Sequence, residues 1–423
     1  MKSVLILAND FPPKNSIGAE RPYSWYKYFK KKGIKAIVVT KNWQEEFSKN
    51  NSDFELDYDE ILPASISNDF STKLLRKYGK HKFSIIRKMF TVFYHYCQYF
   101  LPVGIHHTIY QKAEQYLKQN KVDFIIATGE PFILFKYASK LSKKHNISWV
   151  ADYRDDWIQN HGRTYTKNVF TKIFMQYDRF WEKKYLNQAY GITSVSDYLT
   201  KQISKRNFNI NCETIENGVD LDVFKNITTP FGVNEFSIVY TGVLYNQNYL
   251  LDFSKGFSDF ISTLKSKDKI HLYFIGTETL DNQATQEVEN LKKKFNDNVH
   301  ILPKMSQKLV ANYQANANLL LNFIAGDPSK GLIGAKSYVY AATKKPILTI
   351  PSIKNANSPF FPGRNTQFIA LSEIEVSEFL IEIYVDFING NIRRNDLSEQ
   401  EIFMLSREYN ANKMINFMFN YAD

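Results

Sequence analysis

Gly331-Leu-Ile-Gly-Ala-Lys-Ser-Tyr-Val-Tyr-Ala-Ala-Thr-Lys-Lys-Pro346, followed at once by Ile347-Leu-Thr-Ile350, reads as a loop of small residues, a helix that Pro346 ends, and a buried strand. A small-residue loop that opens a helix leaves first-turn N–H groups and the positive end of the helix dipole facing the loop. That is a diphosphate-binding geometry, and Lys336 in the first turn adds a cation where leaving-group charge develops. An ordinary loop-to-helix turn carries the same pattern, because glycine is frequent in turns. What lies on either side decides between the two.

Working outward, short apolar runs alternate with longer helix-period segments. In the first half the runs are Val4–Ala8, Ala36–Thr40, Phe124–Thr128, Trp149–Asp152 and Ile192–Val195. After the polar stretch Asn217–Asn234 the pattern restarts with Ile238–Thr241, Leu272–Ile275, His300–Leu302, Leu319–Phe323, Ile347–Ile350 and Phe368–Leu371. Such alternation predicts an α/β chain with parallel sheets, and the restart predicts two doubly wound, Rossmann-like domains. The boundaries read as 1–216 for the first domain, 217–234 for a linker and 235–397 for the second domain. The tail, 398–423, has helix-period apolar positions and no domain of its own, so it is expected to return to the first domain. Phe170, Phe174, Tyr177, Trp181 and Tyr185 recur at helical spacing across Thr166–Ala189 as a core stripe, and Ser196 is placed to cap a helix over Asp197–Lys205.

The 423 residues exceed one ordinary core, and 44% hydrophobic with 15% aromatic content suffices to build two. Cys97 and Cys212 are too few for a disulfide framework or a structural zinc site, which suits a reducing cytosol. The start, Met1–Asn9, resembles a first buried strand more than a secretory signal, so a cytoplasmic protein is expected. A net charge of +11 points to nucleic acid, an anionic membrane surface or phosphorylated small molecules. Lys73, Arg76, Lys77, Lys80, Lys82, Arg87 and Lys88 precede the uncharged run Met89–Pro102, and basic followed by aromatic suits a bilayer interface. Across 73–110 two readings fit: a helix lying on an anionic membrane, or a buried helix beside a solvated basic neighbour. The tyrosines and histidines of the run argue against a span, and no finger, RRM or basic-helix signature supports nucleic acid.

Open parallel sheets bind ligands beyond the carboxyl ends of their strands, so the expected site is a cleft between the domains. The first loop, Asp10-Phe-Pro-Pro-Lys-Asn-Ser-Ile-Gly-Ala-Glu-Arg21, puts Gly18 and Ala19 at a helix start where a ligand can approach closely. In Asp152-Tyr-Arg-Asp-Asp-Trp157 three carboxylates flank an arginine at a strand end, fitting either a polar ligand or an ion-pair network that stitches a loop. His161 is a sugar contact or an exposed loop histidine. His106 and His107 have no carboxylate at ligand spacing, and Asp220-Leu-Asp222 reads as a helix cap in preference to a metal pair, so no metal is assigned.

Phe11-Pro-Pro with Gly18-Ala-Glu-Arg21, Asp152-Tyr-Arg-Asp-Asp-Trp157, Glu216-Asn-Gly-Val-Asp220, Tyr240-Thr-Gly242 and Lys336-Ser-Tyr-Val-Tyr-Ala-Ala with Lys345-Pro346 come in one order along nearly the whole chain. Together they resemble the family-4 glycosyltransferases of GT-B fold. The resemblance implies retaining, hexosyltransferase-type transfer from a nucleotide sugar, without metal or other cofactor, to a lipid-linked or glycan acceptor. The setting would be bacterial surface-polysaccharide synthesis such as capsule or O-antigen, at the inner face of the plasma membrane.

Carried over by residue, Gly18, Ala19, Arg21, Gly242, Gly276, Pro303, Lys304, Gly334, Ala335 and Tyr338 would hold the donor. Asp155 and Lys336 would be catalytic, and Asp152, Arg154 and His161 would face the acceptor. The chain departs from the pattern at Val339 and Gly331, where relatives carry glutamates that contact the ribose and the donor sugar. It also lacks a basic residue after the glycine of Tyr240–Tyr245, a place that Lys336, Lys330 or Arg21 could fill. The departures keep two alternatives open: a non-catalytic nucleotide- or glycan-binding partner subunit, and a sugar-nucleotide epimerase.

Overall fold

Val4, Leu5, Ile6 and Leu7 are all fully buried in β1 (Ser3–Leu7), as expected of a central parallel strand covered on both faces. Leu5 and Leu7 enter one apolar cluster and Val4 and Ile6 another, because successive side chains point to opposite faces of the sheet. The structure, a computed structural model, describes residues 1–14, 16–43, 54–65, 70–79, 82–158, 169–207, 209–244, 248–264, 269–277, 283–324, 334–351 and 367–420. Two compact units emerge: Met1–Asn217 with Asn410–Asp423, and Gly218–Tyr409.

In the first unit β1 is followed by α1 (Ile17–Lys31), β2 (Lys35–Lys41), β3 (Ile61–Ala64), α2 (Phe70–Tyr78), α3 (Ser84–Cys97), α4 (His107–Leu117), β4 (Phe124–Gly129), α5 (Ile133–His145), β5 (Ser148–Tyr153), α6 (Val169–Leu186), β6 (Gly191–Ser194), α7 (Asp197–Arg206) and β7 (Asn211–Thr214). The strands form one parallel sheet in the order β3-β2-β1-β4-β5-β6-β7, with Leu5 level with Ile37 on one side and Ile125 on the other. The five expected strands are all present. β3 and β7, the two edges, are additional.

Ser196 caps α7 by accepting from the Leu199 N–H at 3.3 Å. The aromatic stripe of α6 is only partly core. Trp181 and Tyr185 are buried, whereas Phe174 is 41% exposed and stacks on Tyr96 at 4.9 Å.

No residue of α3 is fully buried, which removes the buried-helix reading of this segment. Ile85, Met89 and Val92 are 74%, 66% and 55% exposed. Lys73, Lys77, Lys82 and Lys88 are exposed beside them. The last turn of a helix leaves carbonyls without intrahelical partners, and here donors from α5 and α6 bond one of them and those of the segment that follows. Tyr177 donates to the Tyr96 carbonyl, Tyr185 to that of Tyr99, and the Lys136 ammonium to those of Gln98 and Leu101. The α2–α3 pair thus presents its apolar side chains outward while its carboxyl end is fixed to the core. Among the described residues no helix is long and apolar enough to cross a membrane.

The second unit comprises β8 (Phe236–Thr241), α8 (Asn248–Ser262), β9 (Ile270–Ile275), α9 (Gln283–Lys294), β10 (Val299–Leu302), α10 (Gln307–Asn316), β11 (Leu319–Ile324), α11 (Ala335–Ala342), β12 (Ile347–Pro351), β13 (Gln367–Ile369), α12 (Glu373–Ile388) and α13 (Glu399–Met404). Its sheet is parallel in the order β10-β9-β8-β11-β12-β13, and its strands coincide with the six expected ones. The expected helix and the buried strand after it are α11 and β12, but α11 stops at Ala342, with Lys344 at φ +59°, before Pro346 is reached. Asp220 caps a short 3₁₀ turn over Leu221–Phe224, its Oδ1 accepting from the Asp222 N–H at 3.0 Å.

The last helix is α14 (Arg407–Phe419). Its Ala411, Met414, Ile415 and Met418 join Val4, Ile6, Ala36 and Val38 in the core of the first unit. Phe417 lies so close to Gly191 on β6 that a Cβ there would meet its ring at 2.2 Å. Glycine is what lets the returning helix settle on the sheet.

Candidate functional site

Both sheets reverse direction beside their first strand, between β1 and β4 in one unit and between β8 and β11 in the other. The crevice beyond the carboxyl ends at such a reversal is where doubly wound sheets bind ligands. Gly18 and α1 follow β1, and Gly242 follows β8, so the glycines read from the sequence sit at the two reversals.

In the second unit α11 starts at Ala335; its N-cap residue Gly334 has no side chain to cap with, and among the described residues the first turn shows only the Ser337 N–H bonded to the Gly334 carbonyl at 2.9 Å. Lys336 in that turn reaches back to β8. Its Nζ donates to the Tyr240 hydroxyl at 2.6 Å and stands 4.1 Å from the ring centroid, and the hydroxyl in turn donates to the Val243 carbonyl at 2.8 Å. Gly242, at φ +93°, makes room: a Cβ there would lie 3.0 Å from Lys336 Cε. The Lys336 stem is partly exposed, but its ammonium is enclosed, and this burial holds its pKa down to about 7. An anion arriving beside it would restore the proton. Gly276, at φ +71°, lies next to Lys304, whose Cα would be 3.7 Å from a Cβ there, so β9 and β10 end on a neighbouring pair. Pro303 and Lys304 are exposed.

Tyr338 is buried at 2% exposure. Val339 packs against the apolar cluster of Val239, Ile275 and Tyr340. A side chain turned into that cluster cannot supply the polar contact that a glutamate makes. Ala335 opens α11; Gly331, Lys330 and His161 lie outside the described residues.

In the first unit most of Asp152–Trp157 is committed to the fold. Asp152 is fully buried and accepts from Arg21 Nε at 2.9 Å and Nη2 at 2.7 Å, from Trp25 Nε1 at 3.1 Å and from Thr193 Oγ1 at 2.7 Å. Arg21 Nη1 donates to the Glu216 carbonyl at 3.0 Å, which ties α1 to the chain leaving β7. Arg21 and Asp152 are therefore engaged with each other, as the stitching reading has it. Tyr153 donates to Glu182, whose pKa burial pushes up against the opposing pull of Arg206. Asp156 accepts two bonds from Arg206, both at 3.0 Å. Trp157 stacks on Phe132 at 5.2 Å.

Arg154 and Asp155 remain. Arg154 is partly exposed and donates to the Gly18 carbonyl at 3.2 Å, while Asp155 is exposed at the carboxyl end of β5. Gly18 fits between Asp10 and Arg154, where a Cβ would meet Asp10 Oδ2 at 2.7 Å and Arg154 Nη1 at 3.0 Å. The Ala19 N–H is taken by the Ser16 carbonyl at 2.9 Å.

Sequence reasoning missed Tyr240, the partner of Lys336. Nothing local signals it, since Tyr240 lies in β8 and Lys336 in α11, and they meet only where Gly242, just past the strand at φ +93°, leaves room. Sequence reasoning also missed the strand-end group of Asp10, Lys14, Lys41, Trp43 and His106, which come from the segments after β1 and at the end of β2 and from the start of α4.

Neither a family model nor a curated protein matches the sequence. Solved structures do match. Sucrose-phosphate synthase from Thermosynechococcus elongatus superposes with a TM-score of 0.60 at 12% identity, with 98% of each chain covered. The catalytic domain of starch synthase IV from Arabidopsis thaliana, bound to ADP and acarbose, gives 0.56 at 11% identity over 99% of each chain. UDP-GlcNAc 2-epimerase from Methanocaldococcus jannaschii gives 0.54 at 11% identity over 100% of each chain. At such identities the likeness is one of fold: with its two doubly wound α/β units, the chain has the GT-B fold.

Proposed function

We propose that this protein is a glycosyltransferase that moves a sugar from a nucleoside diphosphate donor to a lipid-linked or glycan acceptor. The observation that carries the reading is Lys336. It is a cation in the uncapped first turn of a helix at the sheet reversal, folded onto Tyr240 and able to swing to a diphosphate. Similarity to sucrose-phosphate synthase and to an ADP-bound starch synthase supports donor chemistry of this class.

In the transfer, the acceptor oxygen bonds to the anomeric carbon as the bond from that carbon to the diphosphate breaks. The hydroxyl proton passes to the departing phosphate oxygen. The first-turn amides of α11 and the Lys336 ammonium stabilise the charge that collects there. Attack from the face that the nucleotide leaves retains the configuration, and such a step uses no carboxylate of the protein as nucleophile. Asp155 orients the acceptor hydroxyl. No step requires a metal.

The exposed apolar and basic face of α2 and α3 supports a place on an anionic membrane, in bacterial surface-polysaccharide assembly at the inner face of the plasma membrane. Incubation with UDP-, GDP- and ADP-sugars, with and without membrane lipid extracts, tests the reading. Sugar transferred to lipid or glycan is the expected result. A second reading, epimerisation of the nucleotide sugar, draws on the similarity to UDP-GlcNAc 2-epimerase. It would appear in the same assay as donor conversion without acceptor, and donor binding with neither outcome would leave a binding subunit.

A further inference from the structure

Lys14 and Lys41 bring two ammonium groups to a single indole. Their Nζ atoms stand 4.0 and 4.1 Å from the Trp43 ring centroid, and Trp43 Nε1 donates to the Asn9 carbonyl beyond β1 at 2.7 Å. Asp10 accepts from Lys14 at 2.8 Å and, across Gly18, faces the Arg154 guanidinium. Lys14, Lys41 and Arg154 thus form a connected group with one carboxylate at the start of α1, whose dipole adds further positive potential. Like charges gathered this way repel, and an anion bound among them turns the repulsion into attraction.

His106, immediately before α4, is an independent observation. Its Nδ1 is buried with no hydrogen-bond partner among the described residues. Burial, with Lys41 adding to it and Asp10 opposing, holds its pKa down to about 4. Buried polar atoms without a partner are uncommon, and an oxygen anion beside Lys41 would supply one.

His106 is also where the apolar surface ends. Exposed Phe100, Leu101 and Ile105 lead from α3 straight to it, and Lys136 fixes this connection through the Gln98 and Leu101 carbonyls. A cationic strand-end group and a lipid-compatible surface are therefore joined by a short anchored segment. The geometry points to a headgroup site: Lys14, Lys41, Trp43 and His106 bind the phosphate or diphosphate of a lipid-linked acceptor whose chain runs towards the α2–α3 face. The inference rests on the transfer reading above and narrows its acceptor to a phosphorylated lipid.

The test uses the full chain and three probes: farnesyl diphosphate, inorganic pyrophosphate and farnesol. Binding is read from Trp fluorescence against a Trp43→Phe control and from the His106 imidazole signals in NMR. Farnesyl diphosphate is expected to bind at least tenfold tighter than either other probe and to shift His106 towards its protonated form. The Lys14→Gln/Lys41→Gln double variant is expected to lose at least tenfold in that affinity. His106→Asn serves as a second variant should the double one fail to fold.

Affinity unchanged in both variants, or no binding of farnesyl diphosphate, overturns the site. Equal affinity for pyrophosphate overturns the lipid assignment and leaves a site for soluble phosphates. A protein that transfers sugar from a nucleotide yet ignores farnesyl diphosphate refutes this inference alone, whereas one that binds it but never turns over a sugar nucleotide refutes the transfer reading.

Discussion

Replacing Arg21 by Met separates a structural role from a ligand role. In the folded protein the Arg21 and Asp152 side chains are 3% and 0% exposed, and their closest contact is 2.7 Å. Without the guanidinium, Asp152 keeps the Trp25 indole at 3.1 Å and the Thr193 hydroxyl at 2.7 Å but loses its only described cationic partner. Removing one member of a buried pair costs about 3–5 kcal/mol, because the other is left as an uncompensated charge. For a unit of this size each kcal/mol lowers the melting temperature by roughly 2–4 °C, so the transition should fall by about 6–20 °C.

Differential scanning calorimetry of Arg21→Met, Asp152→Asn and the double variant provides the assay. The double variant should recover part of the loss, since it holds no orphaned charge. On the proposed reading the nucleotide binds the second unit, so its affinity should not change in Arg21→Met. A melting temperature within about 2 °C of wild type, combined with lost donor binding, would refute the reasoning and make Arg21 a ligand contact.

Lys336 predicts a pH dependence. Its ammonium is lost as pH rises through about 7, against an ordinary 10.5, so nucleoside diphosphate affinity should fall above pH 7 by up to about tenfold per unit. Calorimetry at pH 8 in two buffers should detect proton uptake on binding, and a flat profile from pH 6 to 9 would exclude the role. Lys336→Ala should lower turnover by about 10²-fold, the scale of losing one preorganised donor. Ile85→Glu with Met89→Glu removes two apolar side chains worth about 1.5–3 kcal/mol each on burial, so flotation with anionic liposomes should drop by at least about 10²-fold if this face meets lipid. Asp155→Asn should leave the melting temperature unchanged, as exposed substitutions commonly do, while slowing transfer; a large stability loss would place Asp155 in the scaffold. Gly191→Ala forces a Cβ into the Phe417 ring and should cost about 1–3 kcal/mol by overpacking, measurable in urea unfolding.

The central strands were legible because a parallel strand covered on both faces reads as an apolar run, unbroken in Val4–Leu7 and interrupted in Leu319–Ile324 only by the buried Asn322. The edges were not. β3 is Ile61-Leu-Pro-Ala64 and β7 is Asn211-Cys-Glu-Thr214; one carries a proline and the other polar residues, both of which an edge tolerates because one side makes no ladder. The stripe on α6 was correct in period but not in surroundings. Helical spacing fixes which side chains share a face, yet Phe174 meets the mostly exposed α3 and Trp181 meets the core, a difference that only tertiary contacts decide.

The Asp152–Trp157 segment shows why charged residues at a strand end are ambiguous in a sequence. Its alternation sends Asp152 inward to Arg21, while Asp156 beyond the strand meets Arg206, and either contact consumes a carboxylate without any ligand. Asp155 differs by register and by lying past the last paired residue, Tyr153. The same logic applies to Val339, one helical turn beyond Lys336 on α11. Facing an apolar cluster, it removes a polar contact that the resemblance implies, and on the proposed reading donor binding falls more heavily on the first-turn amides and on Lys336. On the proposed reading the Lys336 ammonium carries much of the charge that meets the diphosphate, so the pH response of donor affinity measures its share.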